Sequence, residues 1–318
     1  MVSLSNHFFV CSVALREERV FCFRLCRVRE NRSDDKMDIK TIAVIGSGVM
    51  GGGIAQVAAQ CGYEVILEDL KKEYVIAGLA KIRERLDKRV EEGKLDLKDR
   101  EAALSRIRIS TTLEECCDAD LIIEAAVENE EVKKDIFRQL DAVCSEETIF
   151  ASNTSSIPIG RLALATRKPG RFAGMHFMNP AYIMKLVEVV KGAGTSEKTA
   201  DAIRAVCDRI GKTAVVVNDS PGFVISRLLA TMINDAIFCL REGVATKEGI
   251  DTIMKLGANH PMGPLELADL MGLDVCLEIL KVLQSDLGEK YRPCPLLVEK
   301  VSAGKLGRKS GEGFYEYK

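Results

Sequence analysis

Two groups of residues in this 318-residue chain have the types and spacing for chemistry. The first pairs His176 with Glu188. The chain holds three histidines, and a neutral imidazole, with an ordinary pKa of ~6.5, can take and return a hydroxyl proton at physiological pH. His7 lies in an N-terminal stretch unlike the rest, and His260 sits in the Pro/Gly turn Asn259-His260-Pro261-Met262-Gly263-Pro264. His176 ends an apolar run that reads as a strand, and Glu188 lies in the next such run. A carboxylate on the neighbouring strand would fix the tautomer and charge of the ring. The second group is Gly46-Ser47-Gly48-Val49-Met50-Gly51. Gly46 allows a tight turn, Gly48 lets a pyrophosphate approach the backbone, and Gly51 lets the following helix pack close to the strand. Asp69 stands 23 positions after Gly46, where an acid would bond the adenine-ribose hydroxyls and repel a 2′-phosphate. The pattern calls for NAD as cofactor, with Lys71 and Lys72 leaving NADP open.

These groups need elements to hold them. Thr41-Ile42-Ala43-Val44-Ile45 reads as a strand buried on both faces, followed by a small-residue helix to Ala59, a stop at Gly62, and a strand Tyr63-Glu64-Val65-Ile66-Leu67. From Lys72 to Arg106 the spacing predicts two helices broken at Gly93, with Ile76, Leu79, Ile82, Leu86 and Val90 as one apolar stripe. A single crossover would need less, so a helical hairpin projects from the sheet, its tip made basic by Lys88, Arg89 and Lys94. Further strands are expected at Arg106–Ser110, Leu121–Ala125 and Thr148–Ser152, with a helix over Glu130–Val143. This alternation means an open, Rossmann-like doubly wound α/β sheet, whose ligands sit beyond the strand C-termini. Val127-Glu128-Asn129 and Asn153-Thr154-Ser155-Ser156 fall there.

Strands Phe172–His176 and Leu186–Lys191 flank Met178-Asn179-Pro180, and a helix over Ser196–Ile210 precedes a strand Ala214–Val217. Asp219-Ser220-Pro221-Gly222-Phe223 marks a boundary, with Ser220 as N-cap and Pro221 as the first helical residue. The helix to about Arg241 is apolar around much of its girth, so it must be buried on several sides. Helices near Lys247–Leu256, Leu265–Leu287 and Pro295–Ala303 complete a smaller all-α domain. The expected organisation is 1–36 as an extension, 37–219 as the dinucleotide-binding domain and 220–318 as the helical substrate and dimerisation domain.

Composition sets the surroundings. A net charge of −2 without a basic stripe excludes nucleic acid as a partner. The eleven cysteines include no C-x-x-C pair and no cluster at zinc spacing, so no metal is expected and reduced thiols in a cytoplasmic protein are. The longest apolar run before Met37, Phe8–Leu15, is too short to span a membrane, and no Lys or Arg precedes it. The stretch up to Lys36 reads as an upstream extension with no role in the fold.

Several motifs together carry a resemblance. Ser152-Asn153-Thr154-Ser155-Ser156, Arg171-Phe172-Ala173-Gly174-Met175-His176-Phe177-Met178-Asn179-Pro180 and Lys185-Leu186-Val187-Glu188-Val189-Val190 resemble the L-3-hydroxyacyl-CoA dehydrogenase family. Asp219-Ser220-Pro221-Gly222-Phe223, Pro261-Met262-Gly263-Pro264 and the C-terminal Gly307-Arg308-Lys309-Ser310-Gly311-Glu312-Gly313-Phe314-Tyr315 extend it from Met37 to Lys318. The resemblance implies reversible NAD-dependent oxidation of an (S)-3-hydroxyacyl-CoA, 3-hydroxybutyryl-CoA above all, to the 3-oxoacyl-CoA. It implies His176 as general acid/base, Glu188 as its partner, Ser155 on the substrate's 3-oxygen and Asn179 in the same polar cluster. Asn153, Glu128 and Lys133 would contact the nicotinamide half of the cofactor, and Asp69 the adenine ribose. It further implies a homodimer through the helical domain, and an acyl-CoA lying toward the helical hairpin.

One position departs from the family's Pro-Gly-Phe-x-x-Asn-Arg. Ser226 stands for the asparagine, with one donor where the amide offers two. Two other readings stay open on residues alone: a cofactor-binding homologue without turnover, and a β-hydroxyacid dehydrogenase with a lysine base. No tyrosine has a lysine four positions on, as the short-chain dehydrogenases of the (3R) isomer require.

Overall fold

The computed structural model describes residues 38–317. The expectation about residues 1–36 lies outside them. A glycine-turn unit leads: β1 (Thr41–Ile45), α1 (Val49–Gln60) and β2 (Glu64–Glu68), closed by Gly46 N donating to Glu68 O at 2.8 Å. The helical hairpin follows as α2 (Lys72–Glu91) and α3 (Leu97–Ser105), then β3 (Ile107–Ser110) and β4 (Leu121–Glu124). Next come α4 (Glu130–Val143), β5 (Ile149–Ser152), the short α5 (Ile159–Ala163) and β6 (Phe172–Phe177). The chain then reverses into β7 (Leu186–Lys191), crosses through α6 (Glu197–Arg209) and returns as β8 (Thr213–Asn218).

The eight strands form one sheet in the order β3-β2-β1-β4-β5-β6-β7-β8. All neighbours pair in parallel except β6 and β7, which are antiparallel. The first six positions are the dinucleotide-binding order, with β1 and β4 meeting where the order reverses. Pleating sends alternate side chains to opposite faces. Ile42 and Val44 of β1 join Ile54, Ala58, Ile82 and Leu86 on one face, whereas Ala43 and Ile45 join Phe137, Leu140, Phe150 and Phe172 on the other. Both faces are therefore covered, and β4, β5 and β6 are buried along their whole length, as near-continuous apolar runs require.

The remaining helices are α7 (Ile225–Arg241), α8 (Lys247–Gly257), α9 (Pro264–Met271), α10 (Leu273–Leu287) and α11 (Pro295–Ser302). They bury a separate core of Ile233, Ile237, Leu265, Leu277, Leu280, Leu283 and Leu297. The chain's last turns dock on it through buried Asp269, which accepts from Phe314 N and Tyr315 N, both at 2.9 Å. The sheet and this helical part touch directly, as Arg161 Nη2 donates to Asp286 Oδ2 at 2.7 Å and Phe223 sits in the sheet's second core.

The structure differs from the sequence reading in four places. Pro221 is not the first helical residue: positive φ at Gly222 (+69°) and Phe223 (+47°) makes residues 221–224 a turn, and α7 starts at Ile225. The single helix expected over Leu265–Leu287 is two, because Gly272 takes φ +100°. On α2 the buried stripe is Val75, Gly78, Ile82 and Leu86, and Ile76 is exposed. Gly78 sets that rotation, since a Cβ there would lie 2.6 Å from Ser47 O and only glycine lets α2 cross the glycine turn. Lastly, α7 buries one stripe (Ser226, Ala230, Ile233, Asn234, Ile237) and leaves Leu228 63% exposed.

Candidate active site

The glycine turn has the shape its sequence implies. Gly46 sits at φ +98°, which a side chain would resist, and a Cβ there would also meet Ala125 O at 2.7 Å. A Cβ on Gly51 would fall 1.8 Å from Gly46 O, so helix and turn touch as backbone. At Gly48, the N-cap position of α1, a Cβ would meet nothing within 4 Å. This helix has no side-chain cap and no acid in its first turn. Such an end is built for an anion that is not part of the chain, which is what a dinucleotide's pyrophosphate supplies. Val49 is exposed in that turn and Met50 half-buried beside it. Asp69 is fixed next to them, with Oδ2 accepting from Ser47 N (2.8 Å) and Ser47 Oγ (2.7 Å) and Oδ1 from Leu70 N (2.9 Å).

A second cluster lies where β4 and β5 end. Glu128 Oε1 accepts from Thr154 Oγ1 at 2.6 Å, Ser155 N at 3.1 Å, Ser156 Oγ at 3.1 Å and Ser155 Oγ at 3.4 Å. Burial pushes this carboxyl up, but Lys133 and the donors of Thr154, Ser155 and Ser156 outweigh it and hold Glu128 below the usual carboxylate range. Lys133 is itself 1% exposed, with Nζ 2.6 Å from Glu124 Oε1 and 3.4 Å from Glu128 Oε2. Lys133 therefore lies behind the cluster as its counter-charge. Asn153 spends its carbonyl on the scaffold, accepting from Phe177 N at 2.9 Å, and so ties β5 to the strand that carries His176.

The third cluster is the acid/base pair. His176 and Glu188 are register partners on antiparallel β6 and β7, both buried, with Nδ1 2.8 Å from Oε2. A carboxylate only accepts, so Nδ1 is the donor of this pair, and Nε2 has no partner among the described residues. Glu188 Oε1 accepts from Val224 N and Ile225 N, each at 3.1 Å, at the start of α7. The Phe223 ring lies 5.6 Å from the imidazole, and Ser226 is buried one residue beyond Ile225. Asn179 is exposed in the connection from β6 to β7, on a cis peptide bond to Pro180.

Sequence reasoning missed several groups in these clusters. Glu124 carried a signal, as the one charge in the apolar strand Leu121-Ile122-Ile123-Glu124, and Ser152 Oγ donates to its Oε2 at 2.6 Å. Ser47 was hidden in a variable position of the glycine pattern. Thr154 and Ser156 stood in a polar loop with nothing to rank them. Phe223 gave no signal for its left-handed backbone, which an aromatic residue rarely adopts.

Comparison with known proteins agrees with this geometry. The family model described as "3-hydroxyacyl-CoA dehydrogenase, NAD binding domain" matches residues 41–220, and "3-hydroxyacyl-CoA dehydrogenase, C-terminal domain" matches residues 222–317. A "Probable 3-hydroxybutyryl-CoA dehydrogenase" of Bacillus subtilis (strain 168) is 54% identical over 282 residues, 88% of this chain and 98% of that protein. The 3-hydroxybutyryl-CoA dehydrogenase of Bradyrhizobium diazoefficiens is 50% identical over 281 residues, covering 88% and 96%. Among solved structures, (S)-3-hydroxybutyryl-CoA dehydrogenase PaaH1 from Ralstonia eutropha superposes with a TM-score of 0.86 at 45% identity, over 88% of this chain and all of that one. With an NAD cradle, an imidazole–carboxylate pair and both halves of the model matched, the chain belongs to the NAD-dependent 3-hydroxyacyl-CoA dehydrogenase family.

Proposed function

We propose that the chain oxidises (S)-3-hydroxybutyryl-CoA reversibly to acetoacetyl-CoA, with His176 as the proton-transfer group. The observation that carries this is the buried His176–Glu188 pair, whose free Nε2 stands at the sheet edge that also bears the NAD cradle. NAD, when bound, supplies the acceptor for the hydride that leaves C3. Nε2 takes the 3-hydroxyl proton, and Glu188 stabilises the imidazolium that forms through Nδ1. Ser155 presents a hydroxyl to the substrate's 3-oxygen from a loop that Glu128 pins, with Asn179 and Ser226 bordering the same site. Glu128 and Asn153 flank the nicotinamide half of the cofactor, and Lys133 holds Glu128 ionised. Gly46, Gly48, Val49, Met50 and Gly51 receive the pyrophosphate, and Asp69 the adenine ribose.

The same reading extends to assembly and place. A second copy of the chain covers the open apolar groove of about 560 Å³ between α7 and α8, lined by Leu228, Met232, Val244, Ile253 and Met254. Its exposed apolar rim is what a dimer would bury. No helix among the described residues is long and apolar enough to cross a membrane. The eight described cysteines are free thiols, which suits the reducing cytoplasm.

The test is NADH absorbance at ~340 nm with acetoacetyl-CoA, run with NADH and NADPH and repeated on His176→Gln. Turnover with NADH that His176→Gln abolishes supports the reading. No turnover on acetoacetyl-CoA or longer 3-oxoacyl-CoA, with NADH still bound, would leave a cofactor-binding homologue.

A further inference from the structure

Helix α7 starts without a cap of its own. Its N-cap position is Val224, no side chain there accepts a hydrogen bond, and its first turn holds no acid. The leading N–H groups of a helix need acceptors. Here Glu188 Oε1 takes two of them, Val224 N and Ile225 N, while Oε2 of the same carboxylate holds His176 Nδ1. One side chain thus caps a helix of the helical part and orients the imidazole of the sheet.

What aims those two N–H groups is the turn ahead of them. Gly222 and Phe223 both lie in the left-handed region, and Phe223 N closes the turn on Ser220 O at 2.9 Å. Phe223 is 3% exposed, its ring buried in the sheet's core and set against His176. A side chain at Gly222 would be strained at φ +69° and tightly placed, its Cβ 3.1 Å from Leu283 Cδ2 and 3.2 Å from Arg227 N. An aromatic residue keeps this backbone only where its surroundings hold it there.

We propose that the Gly222–Phe223 turn is the positioning element of the acid/base pair. Phe223 anchors the turn in the sheet, and the turn presents the N-terminus of α7 to Glu188. The carboxylate is thereby held in place, with its other oxygen aimed at His176 Nδ1. Gly222 and Phe223 act through Glu188 and touch no reacting atom. Seating α7 and readying the pair are one event, because displacing the turn withdraws both N–H groups from Glu188. This rests on His176 being the acid/base group.

A double-mutant cycle on kcat tests it. Gly222→Ala is made in the parent and in a Glu188→Gln background. The expected loss is on the order of 10-fold in the parent, the value of weakening one charge-assisted hydrogen bond, and less than about 2-fold beside Glu188→Gln. NADH affinity stays unchanged in all four proteins. Phe223→Leu keeps an apolar anchor and should repeat the pattern at smaller amplitude; it decides alone if Gly222→Ala does not fold. Equal losses in both backgrounds, or a parallel fall in NADH affinity, overturn the proposal. Parent-like kcat in His176→Gln would overturn the acid/base reading itself, whereas a failed cycle with His176→Gln inactive overturns only the role of the turn.

Discussion

The turn after β1 and the turn before α7 use one device to opposite ends. Each bends through a left-handed glycine into a helix whose first turn holds no acid and whose N-cap side chain makes no hydrogen bond. A Cβ at Gly48 would meet nothing within 4 Å, whereas one at Gly222 would press on Leu283 and Arg227, and the charge at the start of α7 is the chain's own Glu188. The difference separates a binding site from a scaffold. A helix end that the fold leaves open is suited to an exchangeable anion; one that the fold caps becomes a fixed part of the structure around His176 and Glu188.

The comparison breaks most severely at the capped end. His176→Gln should lower kcat by ~10²–10⁴, the usual contribution of a positioned acid/base, while NADH affinity stays near that of the parent. Glu188→Gln should cost less, and the double variant should cost little more than His176→Gln alone because the two act as one unit. Stopped-flow reduction of acetoacetyl-CoA and NADH fluorescence titration separate the two quantities. Additive losses would mean that Glu188 serves only as the cap of α7.

The two turns were also unequally legible in the sequence. The glycine turn is a local device: its strand, turn residues, helix and terminal acid lie within Thr41–Asp69, and each announces its role by type and spacing. The Pro221–Val224 turn is built from contacts far apart in the chain. Its cap comes from Glu188, 36 positions before Val224, and its anchor is a core that Phe223 shares with Phe137, Phe150 and Phe172. Local rules instead favoured Ser220 and Pro221 as the helix start, and tertiary contacts overrode them. Asp219 and Asp251 repeat the lesson. Asp219 caps α5 through Ile159 N and Gly160 N, and Asp251 caps α9 through Leu265 N and Glu266 N. The doubly wound sheet and the candidate pairing of His176 with Glu188 were readable because strand periodicity and a scarce residue type survive without knowledge of distant partners.

At the open end, two glycines of one motif should fail differently. Gly48→Ala places a methyl group in unoccupied protein space, so the melting temperature should hold while NADH binds about 10-fold more weakly, the methyl standing where the pyrophosphate must approach. Gly51→Ala drives a methyl group into Gly46 O and should lower both affinity and melting temperature. Differential scanning fluorimetry with and without NADH reads both. Equal melting temperatures for the two variants would mean that the helix does not need its close approach to the turn.

Ser226 offers a smaller effect beside the capped end. It lies in the first turn of α7, buried, directly after the N–H that Glu188 accepts. Thr231 Oγ1 bonds back to Arg227 O at 2.7 Å, but Ser226 makes no such bond among the described residues. A donor aimed at the 3-oxygen, where charge grows as hydride arrives, can be worth ~3 kcal/mol when fixed in place. A short serine reaching through a water would realise part of that. Ser226→Asn should therefore raise kcat on acetoacetyl-CoA several-fold, and Ser226→Ala should lower it. Parent-like values in both would remove Ser226 from the site.

The smallest effect comes from an acid that neither turn serves. Glu188 has two N–H donors and Asp69 has Ser47 N and Leu70 N, yet the carboxylate of Glu68, 3% exposed at the end of β2, takes no hydrogen bond among the described residues. Burial pushes its carboxyl up to about 7, with Asp69 and Glu114 adding to the rise. A carboxyl whose folded pKa lies above its unfolded value of 4.5 binds more protons in the folded state between those limits. Its contribution is thus intact below pH 4.5, is lost as the pH rises through 7, and stays lost above that. Replacing it by a neutral isostere removes the loss, so Glu68→Gln should melt roughly 2–4 °C higher than the parent at pH 8, with the gap closing toward pH 5. A gap that is the same at both pH values would show that Glu68 is not ionising in the folded protein over this range. A lower melting temperature at pH 8 would show that its charge has a partner after all, and that an acid can be held at this strand end without main-chain N–H groups.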